Sequence, residues 1–169
     1  LGVGPITAKS LADHGATVIR VESELRPELL RQLGPFAGGQ PGLNRSQFYG
    51  NFNSSKLGLA LNLSTPQGRE LGRRLIDWAD VVLESFRPGA MARFGFDYAT
   101  VSRDHQDLIM YSTCIRGQSG PEKLYPGTGA QGGALCGMES ITGWPDRPPA
   151  GVHGAYTDVI VPRFGAALI

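Results

Sequence analysis

Asp158 closes a heavily punctuated stretch, TGWPDRPPAGVHGAYTD, which begins at Thr142. A segment so rich in proline and glycine cannot be regular structure. It hands one carboxylate to the start of an apolar run, VIVPRFGAALI. A carboxylate is ionised at neutral pH, so at the edge of a core it can act as a nucleophile or as a base. The local sequence alone favours a second role, that of a helix N-cap accepting backbone N–H groups. Pro162 then requires the helix to start near Val161, because a proline farther inside removes a rung of the ladder.

Other residues suited to chemistry lie earlier. Arg87, in ESFRPG, stands where a guanidinium can grip a phosphate or carboxylate through paired N–H groups, and a solvated surface arginine is the plain alternative. RGQSGP (116–121) could cradle a phosphate, but it is no G-x-G-x-x-G fingerprint and no P-loop lysine follows, so a simple turn fits as well. His14, His105 and His153 are not spaced as metal ligands, and no metal is expected. His14 reads as a helix-end residue and His105 as a surface-helix residue. Cys114 and Cys136 lack a C-x-x-C partner and read as buried structural thiols.

The elements that must position these groups follow from periodicity. Pro5 suits the first turn of a helix over ITAKSLADHG, closed by Gly15. ATVIRVE (16–22) reads as a strand, and residues 23–50 as a long excursion with a short helix at 27–32. A second strand, LGLALNL (57–63), leads to a helix capped by Ser64 or Thr65, with Pro66 in its first turn and an apolar stripe of Leu71, Leu75, Ile76 and Ala79. DVVLESF (80–86) is a strand broken by RPG; AMARFG and YATVSRDH are short helices; LIMYSTCI (108–115) is a buried strand. Strands and helices alternating in short steps imply an α/β fold, a Rossmann-like parallel sheet with helices on both faces. Ligands bind such sheets beyond the carboxyl ends of the strands, here 21–23, 62–64, 84–89 and 114–121.

Composition narrows the class. With 41% hydrophobic and 18% charged residues, the 169-residue chain should fold around an ordinary core. A net charge of +1 argues against broad attraction to nucleic acid or membranes. No apolar run is long enough to span a bilayer, no signal peptide opens the chain, and two cysteines make no disulfide framework. A cytoplasmic location is the default expectation. The chain opens on Leu1 and stops at Ile169 within an apolar run, so it reads as a piece of a larger protein, truncated at both ends.

Four segments in order, GPITAKSLADHGATVIRVE, NSSKLGLALNLSTPQGRELGRRLIDWADVVLESFRPGAMARFGFDY, DLIMYSTCIRGQSGP and ITGWPDRPP with the aspartate after it, resemble the class III coenzyme A-transferases. That group includes formyl-CoA transferase, carnitine CoA-transferase and α-methylacyl-CoA racemases. The resemblance covers essentially the whole chain. It implies that residues 1–169 are part of a large Rossmann-like CoA-binding domain, with a small domain and a C-terminal part absent, and that the full protein is an interlocked homodimer.

The resemblance also implies roles. Asp158 takes the position of the transferase nucleophile. Leu61, Asn62, Leu63 and Ser64 match the segment gripping the adenine end of CoA. Ser85, Phe86 and Arg87 match the segment beneath the nucleotide, Arg93 matches a basic residue facing the CoA phosphates, and Gly2 and Val3 would flank the thioester. The implied substrates are an acyl-CoA and a carboxylic acid, with no permanently bound cofactor. A racemase on the same scaffold would pair Asp158 with a histidine, but PGTGAQGG has Thr128 or Gly129 there and no histidine. Ser23 stands where many members carry Arg or Lys after the acid of VIRVE, and a lysine often found before the PG segment is replaced around Tyr125 and Pro126. A non-catalytic CoA-binding subunit or inactive fragment is the remaining alternative.

Overall fold

The structure, a computed structural model, describes residues 2–152 and 154–169, so the reading of His153 lies outside the described residues. The first helix, α1, spans Val3–Asp13. It ends where Gly15 takes φ +102°, a conformation that favours glycine, and where the exposed His14 ring nitrogen Nδ1 meets the Ser10 carbonyl at 2.7 Å. Strand β1, Ile19–Glu22, pairs in parallel with β2, Leu57–Ala60, from Ile19 opposite Leu57 to Glu22 opposite Ala60. Strand β3, Val81–Glu84, pairs in parallel with β4, Ile109–Ser112. The class is thus α/β, as expected. The described strands form two separate two-stranded parallel pairs rather than one continuous sheet. Each strand is also shorter than its apolar run, because paired ladder residues cover only four positions per strand.

Between β1 and β2 the excursion is more ordered than its weak periodicity implied. It holds 3-10 turns at Leu29–Gln32 and Ala37–Gly39, and then helix α2, Gln47–Asn53. The Ser46 hydroxyl caps α2, accepting from Tyr49 N–H at 3.2 Å. Arg31 ties the segment to β1: it donates to both Glu22 carboxylate oxygens at 2.7 and 3.0 Å and stacks 3.5 Å from the Tyr49 ring centre. Burial pushes the Glu22 carboxyl up, but Arg31 and the Glu28 N–H outweigh it and leave the group below its ordinary value.

Helix α3, Pro66–Trp78, starts on Thr65, whose hydroxyl accepts from Gly68 N–H at 3.0 Å. Thr65→Ala should therefore lower stability by about 0.5–2 kcal/mol, read as a shifted denaturant midpoint with unchanged slope. The buried face of α3 is Gly68, Gly72 and Ile76, spaced by four, whereas Leu71 of the expected stripe is exposed. Glycine is needed there: a Cβ on Gly72 would lie 2.9 Å from Leu63 and 3.0 Å from the Phe96 ring. This close approach builds the core of Ile76, Phe96, Val101 and Leu108, with Leu63, Val82, Met91, Phe94 and Met110 packed around it. Short helices α4, Ala90–Phe94, and α5, Tyr98–Val101, supply part of it.

The last third adds α6, Gly129–Leu135, a 3-10 turn at Met138–Ile141, and α7, Tyr156–Leu168. Sequence periodicity gave no sign of α6, whose seven residues include three glycines. Helix α7 starts five residues earlier than Pro162 seemed to require. Pro162 lies inside it and is fully buried. It is tolerated because α7 packs on α1, where the Thr7 hydroxyl bonds Val3 O at 2.8 Å and lies 3.4 Å from Pro162 O. The thiols are also more open than expected: Cys136 is exposed and Cys114 half-buried.

Candidate functional site

Asp158 is the third residue of α7, not its N-cap. The cap position is Ala155, which offers no side-chain acceptor. Among the described residues, no side chain hydrogen-bonds the Asp158 carboxylate and no cation pairs with it. A capping role therefore does not account for this acid.

Glycines build the walls around it. A Cβ on Gly129 would fall 2.7 Å from Asp158 Cγ and 2.9 Å from its backbone nitrogen. A Cβ on Gly2 would lie 3.7 Å from both Asp158 Cβ and the Asp158 carbonyl oxygen. The starts of α1 and α6 thus both pack against Asp158, with Ile6 Cδ1 beside Gly2 and Ala155 Cβ beside Gly129. The Thr157 hydroxyl donates to Gly129 O at 2.8 Å and fixes α6 against α7. On its other side, the first turn of α1 meets the end of β3, where Gly4 leaves room for the Ser85 hydroxyl. The structure therefore brings Gly2, Ser85 and Asp158 around one turn, with Val3 as the first residue of α1. Thr128 caps α6 through a box with Gln131, and Gly129 directly abuts the acid.

Beyond β3, Arg87 and Arg93 share an open cleft of about 260 Å³ with Pro88, Gly89 and Leu124. Both arginines are exposed, and no carboxylate pairs with either among the described residues. The loop leading to the cleft is held by Glu84, a buried acid that accepts from Phe86 N–H at 2.7 Å and lies 3.4 Å from the Gln118 amide. Phe86 is 48% exposed, leaving an aromatic face beside the cleft's arginine. The RGQSGP loop thus supports the end of β3 through Gln118.

The end of β2 forms a second group. Leu61 N–H donates to Glu22 O at 2.8 Å, so this loop lies beside the end of β1. The Asn62 side chain is consumed locally, accepting from Ser64 N–H at 3.0 Å and from its hydroxyl at 2.6 Å. Leu63 packs on the core cluster with Met91 and Phe94 of α4, so of the four residues it is the one committed to packing. Sequence reasoning missed Arg69, whose guanidinium donates to Ser64 O at 2.9 Å and places a cation on this loop. It also missed Gly129 as a wall of the site, Glu84 as the brace and Leu124 as a lining residue. The spacing of Arg69 four residues after the Thr65 cap was the available signal.

The sequence profile of CoA-transferase family III matches residues 1–169. A succinyl-CoA:(R)-benzylsuccinate CoA-transferase subunit of Thauera aromatica is 40% identical over 83% of this chain and 34% of its own length. The succinyl-CoA–D-citramalate CoA-transferase of Chloroflexus aurantiacus is 33% identical over 96% of this chain and 40% of its own. Among solved structures, a CaiB/BaiF family protein from Brucella suis superposes with a TM-score of 0.87 at 30% identity, covering 98% of this chain and 44% of that one. The chain spans about 40% of the length of the curated relatives it matches. Matched along its whole length by the profile and sharing its fold with CaiB/BaiF proteins, the chain belongs to CoA-transferase family III.

Proposed function

We propose that the protein moves CoA from an acyl-CoA donor to a carboxylic acid, with Asp158 as the covalent nucleophile. One observation carries this reading: Asp158 is an uncommitted carboxylate on the first turn of a helix, walled by glycines that let a substrate carbonyl approach. The two curated relatives above are named as CoA-transferases, both with succinyl-CoA in the name, which supports the substrate class.

In this reading a carboxylate oxygen of Asp158 attacks the thioester carbonyl. The C–S bond breaks, CoA leaves as thiolate, and a mixed anhydride remains on the aspartate. The thiolate then attacks the aspartyl carbonyl, which releases the donor carboxylate and leaves an aspartyl-CoA thioester. The acceptor carboxylate attacks that thioester and expels the thiolate again. Attack of thiolate on the acceptor's acyl carbon gives the new acyl-CoA and frees Asp158. Covalent catalysis divides one hard exchange into easier ones. Arg87 and Arg93 bind CoA phosphates in their cleft, Phe86 lies against the nucleotide, and Leu61–Ser64 receives the adenine end. Gly2 and Val3 flank the thioester.

Residues 1–169 form part of a larger CoA-binding domain in this proposal, within an interlocked homodimer in the cytoplasm. No helix among the described residues is long and apolar enough to cross a membrane. The racemase alternative would need a histidine in PGTGAQGG as its second acid–base group, and that segment has none; among the described residues Gly129 meets Asp158 and Thr128 caps α6.

Arg87→Ala and Arg93→Ala in the full-length protein should each weaken CoA binding by about 1.5–3 kcal/mol, the worth of a charge-assisted contact. Calorimetry reads this directly. Both arginines are exposed, so melting temperature should hardly change. Wild-type affinity in both variants would remove the cleft from the CoA site.

A further inference from the structure

Lys56 lies just before β2, half-buried, and the mechanism above makes no use of it. Its ammonium donates to Pro5 O at 2.7 Å, Phe52 O at 2.9 Å and Asn53 Oδ1 at 2.9 Å. Three N–H groups meet three acceptors, and no carboxylate lies within ion-pair reach among the described residues. The arrangement is specific. Ser55 takes φ +64°, a left-handed conformation unfavourable for a residue with a Cβ, and this turns the chain straight after α2. Phe52 O belongs to the last turn of α2, where carbonyls lack helical partners and a cation is favoured. Pro5 O belongs to the first turn of α1, whose N-cap residue, Gly2, lies against Asp158.

We propose that Lys56 is a positioning residue for the site: its ammonium pins the first turn of α1 to the end of α2, and so keeps Gly2 and Val3 seated beside Asp158. The proposal rests on the reading of Asp158 given above. Removing one proton leaves two N–H groups and a lone pair, so one of the three carbonyls must face a lone pair. The clamp then loosens.

Surroundings set where this occurs. Burial first, then the charges of Arg20 in β1 and Lys9 in α1, bring the Lys56 ammonium down to about 8 against the opposing pull of Glu28 and Asp13. Arg20 itself pairs with Glu28, and Lys9 with Asp13, which leaves no strong counter-charge for Lys56. The sign follows. The clamp is complete below about pH 8 and is lost as pH rises through it, whereas an exposed lysine would stay charged to about 10.4.

The test uses the full-length protein. Wild-type kcat should fall on an alkaline limb near pH 8, with the CoA dissociation constant unchanged across it. Lys56→Met should lower kcat about tenfold or more at pH 7 and abolish the limb, with CoA affinity within twofold of wild type. Lys56→Arg, which keeps its charge at all these pH values, should recover part of the rate and also lack the limb. A flat wild-type profile from pH 7 to 10, or a Lys56→Met protein with wild-type kcat and an unchanged limb, overturns the proposal. Should Lys56→Met fail to fold, the wild-type and Lys56→Arg profiles decide. A second readout needs no turnover: the amides of Ile6, which bonds Gly2 O at 2.9 Å, and of Asp158 should titrate by NMR together with Lys56 Nζ. Amide shifts indifferent to Lys56 protonation sink the clamp even if the transferase reading stands. Coupled shifts in a protein without transferase activity uphold the clamp and overturn the reading.

Discussion

Asp158→Asn in the full-length protein should abolish transfer while leaving the fold and CoA binding nearly intact. An amide keeps the size and shape of the carboxylate but is a far poorer nucleophile. Loss of a covalent nucleophile in a well-studied protease costs about 10⁶ in kcat, and a fall of the order of 10⁴ or more is the comparable expectation here. The stability arm is equally specific. Since Ala155 holds the cap position and the Asp158 side chain accepts no backbone N–H, both Asp158→Asn and Asp158→Ala should spare the melting temperature. A capping aspartate would instead cost about 0.5–2 kcal/mol on truncation to alanine. Acyl-CoA followed by hydroxylamine should mark Asp158 in a peptide mass map of the wild type and nothing at that position in the variant. Wild-type turnover by Asp158→Asn would end the covalent mechanism.

Gly129→Ala should be nearly as damaging by a different route. The added methyl meets Asp158 Cγ at 2.7 Å, and the Asp158 nitrogen and Ala155 Cβ at 2.9 Å. Backbone cannot give way as a long side chain can, so α6 and α7 must separate. Overpacking of this kind costs about 1–3 kcal/mol. The larger effect falls on rate, because a displacement near 1 Å at a reacting group can cost about a hundredfold. Gly133 supplies the control on the same helix. It is buried, but a Cβ there meets nothing within 4 Å, so Gly133→Ala should leave rate and stability unharmed or slightly improved. Equal behaviour of the two variants, measured by kcat and thermal melting, would show that the Gly129 wall does not matter.

Much of the α/β framework was legible because its signals are local. Pro5, Gly15, Thr65 and Pro66 mark helix ends by what they do to their own backbone. The four strands are apolar enough to declare themselves. Their pairing is not local, so one sheet was expected where the described strands form two pairs. Helix α6 was invisible because glycine has poor helix propensity. Two of its three glycines are there for contact, Gly129 against Asp158 and Gly132 against Thr157. The same blindness hid α3's true buried face, since Gly68 and Gly72 carry no hydrophobicity to register. Asp158 was found through its surroundings in the chain, but its place inside α7 was misjudged, because the tolerance of Pro162 depends on packing against Thr7.

Pro162 has a mechanical consequence. In an α-helix the carbonyl of Asp158 would accept the N–H of residue 162, and proline has none. One rung is therefore missing at the residue proposed to carry the acyl group. The turn from Tyr156 to Val161 is therefore joined to the rest of α7 by one backbone hydrogen bond fewer than an unbroken helix would have. A load placed on Asp158, such as the bulk of a bound acyl chain, is then expected to tilt the first turn more easily than it would an unbroken helix, within the limit set by the Thr157 bond to Gly129 O, while Gly165 packs closely against Tyr111 and Thr7. The reactive carboxylate thus rides on the less tightly coupled end of the helix.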